Sequence, residues 1–174
     1  MVVFLTSTTC AQRLPGDARG FVSNVDVGGK HEERHNRYGT PFDADMPQLR
    51  QSAKEQLKGE PVVFNREQAE VLFEQFHETA GIRNWTLIGV AIMFNHVHVL
   101  IKVSDDANPD DVLRDLKSYG SGALNKKFGK PESGTWWTVS GSKRRKDLLV
   151  IPALIEYLKQ QENPLVLWIN PDYE

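Results

Sequence analysis

The chain has 174 residues, 40% of them hydrophobic and 25% charged, the profile of one compact domain able to bury a core of ordinary size. A formal net charge of −2 excludes a uniformly basic nucleic-acid coat, and Cys10 as the only cysteine excludes an internal disulfide or a cysteine-built zinc cluster. No run approaches the roughly 18 apolar residues of a membrane span, and residues 1–5 are too short and lack the basic start of a secretory signal, so a cytoplasmic location without a membrane partner is expected.

Residues 2–6 read as a short strand. From about residue 15 to residue 61 the apolar periodicity disappears into Gly, Pro and charge. Loops beyond about 12–15 residues tend to be functional or disordered, so this interval is expected to be an insertion within a single domain spanning residues 1–174. It contains His31-Glu32-Glu33-Arg34-His35, which matches the zinc-peptidase pattern H-E-x-x-H. The flanks, Gly28-Gly29-Lys30 and Asn36-Arg37-Tyr38-Gly39, offer no apolar stripe to bury beside a metal. A zinc metallopeptidase is therefore the rival function, and a chance match the preferred explanation.

Asn65 with Gln68 three residues later forms a capping-box pattern, and Val71, Leu72 and Phe76 recur at helical spacing, so a helix is expected from Arg66 to about Gly81. Two strands follow at residues 85–93 and 97–103, rich in β-branched and aromatic side chains. The second is entered by Asn95-His96-Val97-His98. Alternation sends His96 and His98 to one face and Val97, Val99 and Ile101 to the other. Two neutral imidazoles on one rigid strand suit a shared cation; the bland alternative is a hydrogen-bonded, half-exposed strand face.

Pro109, with Asp110 and Asp111 in the first turn, opens a second helix that runs to about Phe128, weakened in its middle by Gly120 and Gly122. Residues 136–140 are expected to form the last strand, with one of Trp136 and Trp137 entering the core and the other available to stack on an unpaired base. The basic run Lys143-Arg144-Arg145-Lys146 reads as a loop. Such runs are most often merely solvated, but here Arg114, Lys117, Lys126 and Lys127 extend it into a phosphate-binding surface. Residues 152–162 form a third helix stopped by Asn163-Pro164, its stripe of Ile151, Leu154, Ile155 and Leu158 facing a sheet. Tyr157 and Gln161 share one flank, so a phenol and an amide oxygen can address one point. An ordinary boundary tyrosine and a helix-end polar residue are the alternative. The order β-α-β-β-α-β plus a helix is the split-βαβ arrangement, an α+β, ferredoxin-like (RRM-like) antiparallel sheet with an extra C-terminal helix carrying the tyrosine.

Three stretches in order, Leu14-Pro15-Gly16-Asp17-Ala18-Arg19-Gly20-Phe21, Asn95-His96-Val97-His98 and Tyr157-Leu158-Lys159-Gln160-Gln161, resemble the N-terminal signature, the histidine-hydrophobe-histidine motif and the nucleophile helix of the HUH single-tyrosine transposases. That group includes the REP-associated tyrosine transposases and single-tyrosine insertion-sequence transposases. The resemblance implies a metal-dependent single-strand DNA nickase and rejoining enzyme. His96, His98 and Gln161 would hold Mg2+ or Mn2+, and Tyr157 would be the nucleophile that forms a 5′-phosphotyrosine and frees a 3′-hydroxyl. It also implies hairpin-flanked single-stranded DNA as partner, for which the basic residues Lys143, Arg144, Arg145, Lys146, Lys117 and Arg114 are the expected contacts. Both a homodimer with exchanged tyrosine helices and a monomer are compatible with it.

Tyr119 competes as nucleophile, but Ala123 stands where a ligand-type residue is wanted four positions on. A non-catalytic nucleic-acid-binding module of RRM-like fold needs exposed aromatics on the central strands, where this chain has His96 and His98. A histidine-triad phosphoesterase needs a third alternating histidine, and Leu100 stands there.

Overall fold

The computed structural model describes residues 1–11, 47–57, 59–139 and 141–174. The stretch 14–21 and the motif at His31 and His35 lie outside the described residues. Among the described residues, five strands, β1 (Val2–Thr8), β2 (Thr86–Ile92), β3 (His96–Lys102), β4 (Ser142–Lys146) and β5 (Val166–Ile169), pair antiparallel in the order β4-β1-β3-β2-β5. The described residues also form four α-helices: α1 (Pro47–Glu55), α2 (Arg66–Ile82), α3 (Pro109–Phe128) and α4 (Ile151–Lys159). Among the described residues no helix is long and apolar enough to cross a membrane.

Side-chain alternation divides the core into two layers. Val3 and Leu5 of β1 and Val97, Val99 and Ile101 of β3 point to one face, where Leu72 and Phe76 of α2 and Val112, Leu116 and Leu124 of α3 cover them. Val2, Phe4 and Leu100 point to the other, where Ile151, Ile155 and Leu158 of α4 close a second, smaller cluster. A bulge between Leu87 and Gly89 sits under α4. A Cβ on Gly89 would lie 2.6 Å from Leu158 Cδ1, so the missing side chain is what lets α4 settle onto the sheet.

The local signals at α2 and α3 act as expected. Asn65 accepts from the Gln68 backbone while the Gln68 side chain accepts from the Asn65 backbone, a reciprocal cap worth about 1 kcal/mol. α2 passes through Gly81 and stops only where Asn84 turns left-handed at φ 55°. α3 keeps its expected bounds and ends at Gly129, φ 80°.

Four expectations are corrected. The basic run is no loop: Ser142–Lys146 is β4, an edge strand hydrogen-bonded along β1. Charge is tolerated there because an edge strand meets water along its open side. Of the expected strand 136–140, the described residues 136–139 form no strand and contribute one bridge, between Thr9 and Trp137. Trp136 and Trp137 are both buried, at 5% and 4% exposure, with indole N–H groups donating to Asn125 Oδ1 and to Ser121 Oγ, so neither offers a face to a base. α4 ends at Lys159 and leaves Gln161 just beyond it, and β5 follows and pairs with β2. Within the interval 15–61 the described residues include α1, which has no buried residue.

Candidate active site

Pairing with β1 sets the site. Thr8 stands opposite His96, Thr6 opposite His98 and Phe4 opposite Leu100, so both imidazoles emerge on the α4 face beside the side chains of Phe4 and Thr6. The His96 and His98 ring centroids are 4.8 Å apart. His98 stacks on Phe4 at 5.5 Å with planes 17° apart. The ring of Tyr157 meets His98 edge-on at 5.5 Å and Phe4 at 5.8 Å. α4 thus brings its tyrosine to the histidines of its own chain, and that tyrosine remains 44% exposed.

Hydrogen bonds fix the ring orientations. His98 Nδ1 lies 2.9 Å from Thr6 Oγ1, and His96 Nδ1 lies 2.6 Å from Asn95 Oδ1. Gln161 reaches back past the helix end, its Nε2 donating to the Tyr157 carbonyl at 3.0 Å, and its amide is close enough to His98 to influence that ring's protonation. Burial lowers the His98 pKa to about 4, helped by the neighbouring His96 and opposed by Gln161. Burial lowers His96 as well. Near neutral pH both rings are therefore uncharged, the form that carries a lone pair for a cation.

Among the described residues no three His, Cys, Asp or Glu side chains gather as a metal site, so these residues do not form a purely protein-built cage. Two neutral imidazoles with an amide beside them instead make a sparse, open donor set. It fits a divalent cation that keeps water or takes phosphate oxygens in its remaining positions.

The expected DNA-binding residues are divided by the sheet. Alternation along β4 sends Arg144 and Lys146 to the histidine side, where with Phe4, Thr6, His98 and Tyr157 they line a cleft of 410 Å³. Lys143 lines a second cleft, of 650 Å³, against α3 together with Arg114 and Lys117. Its ammonium pairs with Asp110, while Arg114 pairs with Asp111 at 2.6 Å and Asp115 at 3.4 Å. Lys117 donates to the Thr138 carbonyl at 2.6 Å, and burial, then the charge of Lys143, lowers its pKa. Arg145 is exposed, opposite Val3 in register. Tyr119 sits on α3, across the sheet from the histidines, with the Arg83 guanidinium 6.0 Å from its ring centre.

The sequence reading missed Phe4 and Thr6 altogether, and named Asn95 only as part of the histidine motif. The only signal for the first two is the alternation of β1, which says nothing about which strand lies beside it.

Residues 57–144 match the family model described as "Transposase IS200 like". No curated protein matches the chain. Among solved structures, the chain is similar to a candidate transposase from Deinococcus radiodurans R1 at 14% identity and TM-score 0.47, over 92% of this chain and 90% of that one. It is also similar to a REP-associated tyrosine transposase bound to a REP hairpin, at 9% identity and TM-score 0.45, over 90% of this chain and 62% of that one.

Proposed function

The chain belongs to the IS200-like transposase family, and on that premise we propose that it cuts and rejoins single-stranded DNA through a covalent bond to Tyr157. One observation carries this reading: an accessible phenol, the neutral imidazole of His98 and two cationic side chains share one cleft, with the ring of His96 4.8 Å from that of His98. The Tyr157 oxygen attacks the scissile phosphorus, the new Tyr O–P bond replaces the P–O3′ bond, and the phenolic proton ends, in net balance, on the departing 3′ oxygen. The product is a 5′-phosphotyrosine and a 3′-hydroxyl. Because the phosphodiester's energy is kept in the linkage, a second 3′-hydroxyl can reverse the step without ATP.

His96, His98 and Gln161 are the residues that would hold Mg2+ or Mn2+, which when bound draws charge from the non-bridging phosphate oxygens. Arg144 and Lys146 neutralise phosphates on either side of the cut and so hold the strand against the sheet. Phe4 supports the plane of His98 from below. The substrate class is single-stranded DNA flanked by a hairpin, as the motif resemblance implies.

The test is to incubate labelled single strands with protein and Mn2+ and look for a denaturation-resistant adduct. It is expected with the wild type and with Tyr119→Phe, and absent with Tyr157→Phe, with His96→Ala and in excess chelator. An adduct formed by Tyr157→Phe would overturn the assignment.

A further inference from the structure

A neutral imidazole has one N–H and one lone pair, and whichever group bonds one nitrogen decides which of them the other nitrogen presents. Both histidines of the site use the same atom for a neighbour: Nδ1 of His96 faces Asn95 Oδ1 at 2.6 Å, and Nδ1 of His98 faces Thr6 Oγ1 at 2.9 Å. The two neighbours come from different places, Asn95 from the β2–β3 turn and Thr6 from strand β1. The turn is itself held, since the Asn95 carbonyl accepts from the Thr9 backbone at 2.9 Å and from Thr9 Oγ1 at 3.1 Å.

We propose that Asn95 and Thr6 are positioning residues that hold the His96–His98 pair with each Nδ1 turned into the protein and each Nε2 offered to the cation site. This inference rests on the metal reading above and deepens it. The two act unequally. An amide oxygen only accepts, so Asn95 Oδ1 forces the His96 proton onto Nδ1 and leaves a lone pair on Nε2 at all times. A threonine hydroxyl donates or accepts, so Thr6 tolerates either tautomer of His98. With the site empty it can give its proton to Nδ1 while the other ring nitrogen turns its N–H to Gln161; with the site filled it takes the Nδ1–H instead. Neither change alters the number of protons on the ring. Such neighbours of a metal ligand typically change affinity by about 10–100-fold.

The imidazole nitrogen shifts of metal-free protein, recorded near neutral pH, read the tautomer directly, and titration with Mn2+ alone reads affinity without any turnover. The His96 proton is expected on Nδ1. Thr6→Val, which keeps the branched shape, and Asn95→Ala are each expected to weaken Mn2+ about 10–100-fold with little change in thermal unfolding, whereas Thr6→Ser keeps wild-type affinity. A His96 proton found on Nε2, or wild-type affinity in both Thr6→Val and Asn95→Ala, overturns the proposal. The tautomer needs neither metal nor DNA, so a wild type that forms no DNA adduct yet carries its His96 proton on Nδ1 separates failure of the functional reading from failure of this one. If Asn95→Ala does not fold, the wild-type nitrogen shifts and Thr6→Val still decide.

Discussion

The ring of Tyr157 stands edge-on to the ring of His98 in the same chain, centroids 5.5 Å apart. Residues 147–150 join β4 to α4 directly, and Ile151, Ile155 and Leu158 are buried in the cluster that also holds Phe4 of β1 and Leu100 of the histidine strand β3. One chain therefore contains phenol and imidazoles together. Mixing His98→Ala with Tyr157→Phe is expected to give no covalent DNA adduct, because neither protein holds a complete site. Adduct recovered in the mixture would mean that tyrosine helices exchange between chains.

The two arginines of β4 separate the phosphate binding proposed for the cleft from charge on the far face. Arg144 lines the cleft and Arg145 does not. Arg144→Gln is expected to weaken single-stranded DNA binding and to reduce the salt slope of log K by about 0.7, one phosphate contact on a single strand, with Arg145→Gln close to wild type. Equal slopes for the two variants in fluorescence anisotropy titrations would refute this division.

Gly89 tests whether the seating of α4 sets the reaction geometry. Strand propensity favours valine over glycine, yet a Cβ there meets Leu158 Cδ1 at 2.6 Å and Ile169 Cδ1 at 3.1 Å. Overpacking of this kind costs about 1–3 kcal/mol. Gly89→Val is expected to lose that much in denaturant unfolding and to slow adduct formation by moving Tyr157, while DNA affinity carried by Arg144 changes little. A more stable variant, with strand propensity winning, would show that α4 is not tightly seated.

Burial of neutral His98 also makes stability depend on pH. Its folded pKa, about 4, lies below the ordinary 6.5, so the unfolded chain takes up the proton first as pH falls. Stability of the metal-free protein is therefore full above the ordinary value and declines as pH drops from 6.5 towards 4, by on the order of 3 kcal/mol. Burial of His96 acts in the same direction. Denaturant melts across this range are expected to show a shallower slope for His98→Gln than for the wild type; identical slopes would place the acid sensitivity elsewhere.

Local chemistry was legible before any coordinates. The Asn65–Gln68 cap, Pro109 at the start of α3 and the same-face alternation of His96 and His98 are decided by contacts within a few residues, and the structure contains all three. The charged segment Ser142–Lys146 was not legible as a strand, because an edge strand beside β1 carries no apolar period to announce it. The short β5 was hidden for a related reason: its four residues follow Asn163-Pro164, and only pairing with β2 makes them a strand.

The sequence by itself determined which side chains could do chemistry, since residue type and strand alternation are properties of the chain. Only the tertiary structure decided that Tyr157 rather than Tyr119 shares a face with the histidines, that Arg144 and Lys146 part company with Lys143, and that Thr6 stands beside His98. Each of those depends on strand register and on which face of the sheet a helix covers. Contacts between residues far apart in sequence set both, and no local pattern encodes them.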